Sequence, residues 1–428
     1  MKQTDNIPAG YKSSPLGIIP KDWEVKRLGE LFVFKNGINS GKDNYGQGVK
    51  FVNTMDVLGN SFMSYGSLRG SVLVSDVQQK EFSVMNGDVL FNRTSETREE
   101  VGFASVYIDN KIAVFGGFII RAHSLDNSIN INFKKYCFQP QYIRNQISSF
   151  GNGAIRYNLG QEDLTKVLLL LPPLPEQQKI AEILSGWDSA IEKQSALIEK
   201  LETRKRGLMQ QLLTCRGESH SPTKRLKGFS GEWKKVKAED VFIEVTTPND
   251  GMHNYPAMTI SSKQGLVPQQ NKFDRVIAGN SLGKYILLQK NDFAYNKGNS
   301  KTYPMGCIFK LVTHDNALVP FVYICFRKAI QISNEFYEQW FSNHGLDRQL
   351  KRIITSGARG DGLLNVDSRD FFRLIIPLPK IEEQTAIAKI LTTADDEIAL
   401  AKQKLESLRQ QKKGLMQVLL TGKKRVKI

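Results

Sequence analysis

Glu176-Gln177 with Ile180-Ala181-Glu182-Ile183-Leu184 returns as Glu383-Gln384 with Ile387-Ala388-Lys389-Ile390-Leu391, and Gly207-Leu208-Met209-Gln210-Gln211-Leu212-Leu213-Thr214 returns as Gly414-Leu415-Met416-Gln417-Val418-Leu419-Leu420-Thr421. Both matches lie 207 positions apart, from Ile180 to Ile387 and from Gly207 to Gly414, so no insertion falls between them. The chain is two copies of one unit, each a variable globular part followed by a better-kept helical part. Two copies are too few for a solenoid.

In the first helical part the apolar residues fall at Ile180, Leu184, Trp187, Ile191, Ile198, Leu201, Leu208 and Leu212. That alternating four-and-three spacing is a coiled-coil seam. The second copy holds Ile387, Leu391, Ala394, Ile398, Leu405, Leu408, Leu415 and Leu419 at the same places. Pro172-Pro173 and Pro377-Leu378-Pro379 set sharp starts, because proline suits a first turn and disfavours helix in the residue before it. Helices over 176–214 and 383–421 would each be roughly 55 Å long. Each narrow stripe needs a partner, and the order domain, helix, domain, helix predicts that the two pair antiparallel. Lys205 and Lys412 interrupt the seam at matching positions, as stems snorkelling to water or as polar residues that fix one register.

Upstream the likeness weakens but persists: Asp22-Trp23-Glu24-Val25 matches Glu232-Trp233-Lys234-Lys235, and Gly87-Asp88-Val89-Leu90-Phe91-Asn92-Arg93 matches Asn291-Asp292-Phe293-Ala294-Tyr295-Asn296-Lys297. Alternating runs at 103–108 and 111–115 around Asp109-Asn110, and at 307–312 and 317–319 around Asp315-Asn316, read as strands joined by turns. The fold class is α+β: two globular domains, at 1–170 and 219–375, each followed by a helical spacer, at 171–218 and 376–428, the last carrying a basic tail.

The 428 residues include 59 Lys+Arg against 43 Asp+Glu, a formal charge of +16, with 40% hydrophobic and 24% charged residues. This is globular composition, which excludes a disordered or collagen-like chain. The longest apolar run, Val167 to Leu171, falls far short of the roughly 20 residues of a bilayer span, so no membrane is expected. Four cysteines without a CxxC pair and five scattered histidines fit a reduced cytoplasm and no metal site.

Chemistry is missing too. A polar-Pro-Pro-aromatic tetrapeptide of amino-methyltransferases is absent, and the glycine runs at 37–42 and 279–284 have the wrong spacing for a phosphate loop and lack its Ser/Thr. The run Gly357 to Gly362 lacks the strand-to-helix setting of a dinucleotide site. No nucleophile, base and acid assemble, so the chain reads as a binding protein, not an enzyme.

Residues 172–214 hold six basic and six acidic residues, which leaves the positive surplus largely in the globular parts and the tail Lys423 to Lys427. Cations beside Asn, Thr and Tyr in loops suit a duplex reader, the cations on phosphates and the amides and guanidinium groups on base edges. The DNA-binding candidates are Asn92, Arg93 and Thr94 with Asn296, Lys297 and Lys301, which follow matched strands, and Arg156 and Tyr157 with Arg359, which precede the helices. The reading from another class is a non-catalytic coiled-coil scaffold for protein partners, which would not need this charge; a degenerate nuclease would show metal-dependent cleavage by itself.

Leu-Pro-Pro-Leu-Pro-Glu-Gln-Gln-Lys-Ile-Ala at 171–181, its partner at 376–388 and both Lys-x-Gly-Leu-Met-Gln-x-Leu-Leu-Thr endings resemble the specificity subunit of type I restriction-modification enzymes, over essentially the whole chain. The resemblance implies a cytoplasmic DNA-reading subunit without chemistry of its own. It would bind double-stranded DNA at a bipartite asymmetric target, two adenine-methylating modification subunits, and restriction-translocation subunits. S-adenosylmethionine, ATP and Mg would belong to those partners, and this chain would hold no cofactor. Base-contacting residues do not transfer from the resemblance, because target domains vary freely in this family.

Overall fold

The computed structural model describes residues 7–153, 155–215, 222, 224–249, 251, 253–262, 264–273, 279–298, 302–354 and 364–428. The chain divides into two compact units, Met1–Ser195 with Lys404–Ile428, and Ala196–Gln403. The division runs through both long helices, Leu174–Leu213 and Ile381–Leu419. Each unit therefore holds a globular domain, the first turns of the helix that follows it, and the last turns of the other helix.

Every domain is built on the same sheet. In the first unit the strand order is Phe32–Asn36, Ile119–Ser124, Val89–Asn92, Ala104–Tyr107, with Phe62–Met63 added in parallel at the edge. In the second the order is Phe242–Glu244, Ile324–Lys328, Phe293–Asn296, Cys307–Lys310, and every pairing is antiparallel. The turn into the central strand is also repeated. Gly87 and Asn291 both take positive φ, at 88° and 74°, and the following aspartate, Asp88 or Asp292, accepts from the backbone N–H three residues earlier. Glycine tolerates that conformation freely and asparagine better than most residues.

The strands expected on either side of Asp109-Asn110 and Asp315-Asn316 are present, but they do not pair with each other. Ala104–Tyr107 pairs with Val89–Asn92 and Phe62–Met63, whereas Ala113–Phe115 pairs with Tyr45–Val52 and Ser83–Val84 in a second sheet. Likewise Cys307–Lys310 pairs with Phe293–Asn296, and Asn316–Val319 with Ile286–Gln289. The Asp109 carboxylate accepts from Lys111 N at 3.0 Å and from Tyr65 N at 2.9 Å, so the turn is held across to another loop and the chain passes between sheets. Ala113–Phe115 is buried along its whole length, and a strand covered on both faces gives no alternation to show which sheet it joins.

The strand entering each long helix pairs antiparallel with a strand early in its domain: Leu168–Leu171 with Glu24–Arg27, and Ile375–Leu378 with Lys234–Lys237. Buried Trp23 and Trp233 directly precede those early strands. The first unit's core joins Trp23, Phe32, Phe91, Phe133 and Leu164 to Ile180, Leu184 and Leu419; the second joins Trp233, Phe242, Phe293 and Phe326 to Leu212, Ile387 and Leu391. The helices are thus part of each domain's core.

Candidate nucleic-acid interface

The repeated Glu-Gln at the start of each long helix is a buried polar joint. Glu176 is fully buried; it accepts from Trp23 Nε1 at 2.8 Å and from Arg425 Nε and Nη2 at 2.7 and 2.8 Å. Arg425, just past the end of the other long helix, also donates to both Asp22 oxygens at 2.9 and 2.7 Å. Gln177 donates to the carbonyls of Pro172 and Ser128 at 2.8 and 2.9 Å and accepts from Asn130 N at 2.8 Å, which fixes the cap of the domain helix Ile131–Cys137. The second unit repeats this. Glu383 accepts from Trp233 Nε1 at 3.0 Å and from Arg225 at 2.7 and 2.8 Å, and Gln384 links Pro379 O to Ser333 N, the cap of Asn334–Ser342. Each carboxylate is paired and each amide satisfied, the condition under which buried polar groups specify one arrangement.

Along the helices, Lys412 Nζ meets Asp188 Oδ1 at 2.5 Å in the first unit, and Lys205 Nζ meets Asp395 Oδ1 at 2.6 Å in the second. Within each unit the helix segments run antiparallel: contacts in the first step from Glu176 with Arg425 to Asp188 with Lys412, and in the second from Glu202 with Lys402 to Lys205 with Asp395. The aspartates also accept from the domains, Asp188 from Tyr136 OH at 2.7 Å and Asp395 from Gln339 Nε2 at 2.8 Å. Burial pushes the Tyr136 pKa up, so its hydroxyl stays a donor. Of the seam residues, Ile180, Leu184, Ile198, Leu212, Ile387, Leu391, Ile398 and Leu419 are buried, and Trp187, Ile191, Leu201, Leu208, Leu405, Leu408 and Leu415 are half-buried.

The DNA-binding candidates separate by where their side chains go. Asn92 is fully buried as the last residue of the wholly buried strand Val89–Asn92 and cannot reach a base, which corrects that expectation. Arg93 bonds to Gly117 O at 3.4 Å, and Lys297 bonds to Val366 O at 2.8 Å, with burial pulling the lysine's pKa down. Asn296 accepts from Gly298 N at 2.9 Å. Lys301 and Arg359 lie outside the described residues.

Thr94 and Arg156 line one cavity, whereas the half-buried Tyr157 ring packs against the first unit's core. Thr94–Ser95 pairs antiparallel with Tyr157–Asn158, and Thr94 Oγ1 donates to Asn158 Oδ1 at 2.8 Å. The second unit has the equivalent approach, Leu364 N to Lys297 O at 2.9 Å, matching Leu159 N to Arg93 O at 2.9 Å. Arg156 is exposed, and among the described residues its guanidinium has no hydrogen-bond or ion-pair partner. Beside it opens a cavity of about 390 Å³ walled by Met55, Leu58, Thr94, Glu96, Phe118 and Arg156. Met55 and Phe118 carry no periodic signal, and sequence reading missed them. Trp23, Trp233 and the Glu-Gln pairs were visible as repeats, but nothing in a repeat states its bonding.

Two α+β domains are each locked by the same buried joint to the start of a long helix, and the helix segments run antiparallel within each unit. The type I restriction modification DNA specificity domain family matches the chain twice, over residues 20–203 and 231–410, and the chain belongs to it. It is 23% identical to the type I restriction enzyme MjaVIII specificity subunit of Methanocaldococcus jannaschii, over 96% of this chain and 94% of that one. Its fold is shared with the S subunit of the type I restriction-modification system of M. genitalium, at TM-score 0.52 and 14% identity over 98% of both chains. A chain from a structural study of complex assembly and conformational transition in the type I system aligns at TM-score 0.57 and 13% identity, over 94% of this chain and 99% of that one. Among the described residues no helix is long and apolar enough to cross a membrane.

Proposed function

We propose that this chain is the non-catalytic subunit that reads DNA for a type I complex in the cytoplasm, each domain reading one half of a bipartite, asymmetric target. It holds two modification subunits and the restriction-translocation subunits, which carry S-adenosylmethionine, ATP and Mg. The observation that carries this reading is the duplicated joint: two different reading domains are fixed to their helices by the same Glu-Gln-Trp-Arg bonding. The asymmetry of the target follows from the difference between the domains' loops.

Two sites for the modification subunit are supported by the repeated glycines. An added Cβ at Gly207 or Gly414 would meet nothing within 4 Å among the described residues, so packing inside the chain does not require glycine there. Glycine inside a helix costs about 1 kcal/mol relative to alanine. Its presence at both matched positions suits a partner backbone that approaches closely. Co-expression with the modification subunit and mapping of methylated adenines tests the reading. Expected is one bipartite motif with unlike halves, and a native mass of two modification subunits per chain. A contiguous palindrome, or a saturated one-to-one complex, refutes it.

A further inference from the structure

Two of the most exposed large apolar side chains in the first unit stand around one spot. Met55 is 73% exposed and Phe118 60%, and both wall the 390 Å³ cavity. Apolar groups gathered this way on a surface mark a binding site more often than chance.

Phe118 and Met55 are held in place by backbone bonds on either side. Phe118 follows Gly116-Gly117, where an added Cβ would lie 2.6 Å from the Phe51 ring or 1.9 Å from Asn39 Oδ1. Its carbonyl accepts from Arg93 N at 2.7 Å, and Ile119 N closes the turn on Gly116 O at 2.9 Å. Met55 sits in the first turn of Thr54–Val57, its N–H held by Asn53 Oδ1 at 2.8 Å inside a capping box. Arg156 rides a narrow loop closed by two bonds between Asn152 and Asn158, at 3.0 and 2.9 Å. Inside it Gly153 takes φ 142°, with no room for a Cβ beside Arg156 O.

The chemistry of the walls selects the ligand. Glu96 and Glu100 line this cavity, and their carboxylates would repel a phosphate. Apolar groups, carboxylate acceptors and a guanidinium without a partner among the described residues together match a base-pair edge in the major groove: the thymine methyl, the amino groups of cytosine or adenine, and the acceptors of guanine.

We propose that this cavity is where the first domain reads its half-site in double-stranded DNA, with Met55 and Phe118 as specificity-determining contacts and Arg156 as the guanidinium that reaches a base edge. This rests on the function proposed above and adds the place of readout. Phe118→Ala, Met55→Ala and Arg156→Ala are each co-expressed with the modification subunit, and methylated adenines are mapped. A control, Val77→Ala, removes an apolar side chain that is 74% exposed but lies outside the cavity.

In each cavity variant, discrimination at one or two bases of one half-site is expected to fall about tenfold to a hundredfold. The other half-site and the map of the control stay as in the parent. If the parent directs no bipartite methylation, the functional reading falls. If the parent does so and all three variants keep its half-site, only the cavity proposal falls. Equal loss at both half-sites, or the same relaxation in Val77→Ala, also overturns it. A general weakening confined to Arg156→Ala, without any change of sequence preference, assigns a phosphate contact and removes the base-reading role.

Discussion

Arg425→Ala is the most direct test of the buried joint. It removes the guanidinium from Glu176, which is 0% exposed and would keep only the Trp23 N–H, 2.8 Å away. Removing one partner of a buried ion pair costs about 3–5 kcal/mol. The Arg425 side chain is itself 33% exposed, so solvent screens part of that, and about 2–4 kcal/mol is expected. For a unit of roughly 220 residues this lowers Tm by about 5–15 °C. Two units need not melt together, so calorimetry should be paired with hydrogen exchange read by mass spectrometry, in which protection falls in 7–195 and 404–428. The double variant Glu176→Gln with Arg425→Met keeps an acceptor for the indole and removes both charges. It should recover more than half of the loss, since replacing a buried pair as a whole is far cheaper than breaking it. A stability for Arg425→Ala within about 0.5 kcal/mol of the parent, or a double variant no better than the single, would refute the reasoning.

Arg225→Ala should do the same to the second unit through Glu383, with protection lost in 196–403 and kept elsewhere. Asp22 has its carboxyl held below its ordinary value of 3.8, chiefly by the bond from Arg425. Its stabilisation is therefore complete above 3.8 and is lost as pH falls through the lower folded value; acid titration of Asp22→Asn against the parent should show a gap that closes only in that range. Cys215 is exposed while Cys137, Cys307 and Cys325 are buried, so one thiol per native chain should react with a chromogenic disulfide, slowed by the partial burial that pushes its pKa up, and three only after unfolding. Exchanging residues 1–160 for another target domain should change one half of the methylated motif and leave the other, and a change in both would show that the domains do not read independently.

The helices were legible because coiled-coil spacing is a one-dimensional signal, and the prolines at 172–173 placed the first start within two residues of Leu174. Pairing partners were not legible. The strands at 104–107 and 113–115 are present, but whether a chain turns back or crosses to another sheet depends on tertiary hydrogen bonds such as Asp109 to Tyr65 N. Loop candidates fared unevenly for a related reason. Asn92 and Arg156 look alike as polar loop residues, yet one faces a core and the other solvent, and only the surrounding sheet decides which. Met55 and Phe118 could not be found at all, because an exposed apolar residue and a core residue are the same letter in a sequence.

The joint at Glu176, Gln177, Trp23 and Arg425 shares no residue with the cavity at Met55, Phe118 and Arg156. If that cavity reads DNA as proposed, attachment and address are written in separate residues. An exchange of the domain's body that kept Trp23 and the Glu-Gln start would then alter what is read without altering how the domain is held. Substitutions in the cavity would change the address, and substitutions in the joint would loosen the attachment.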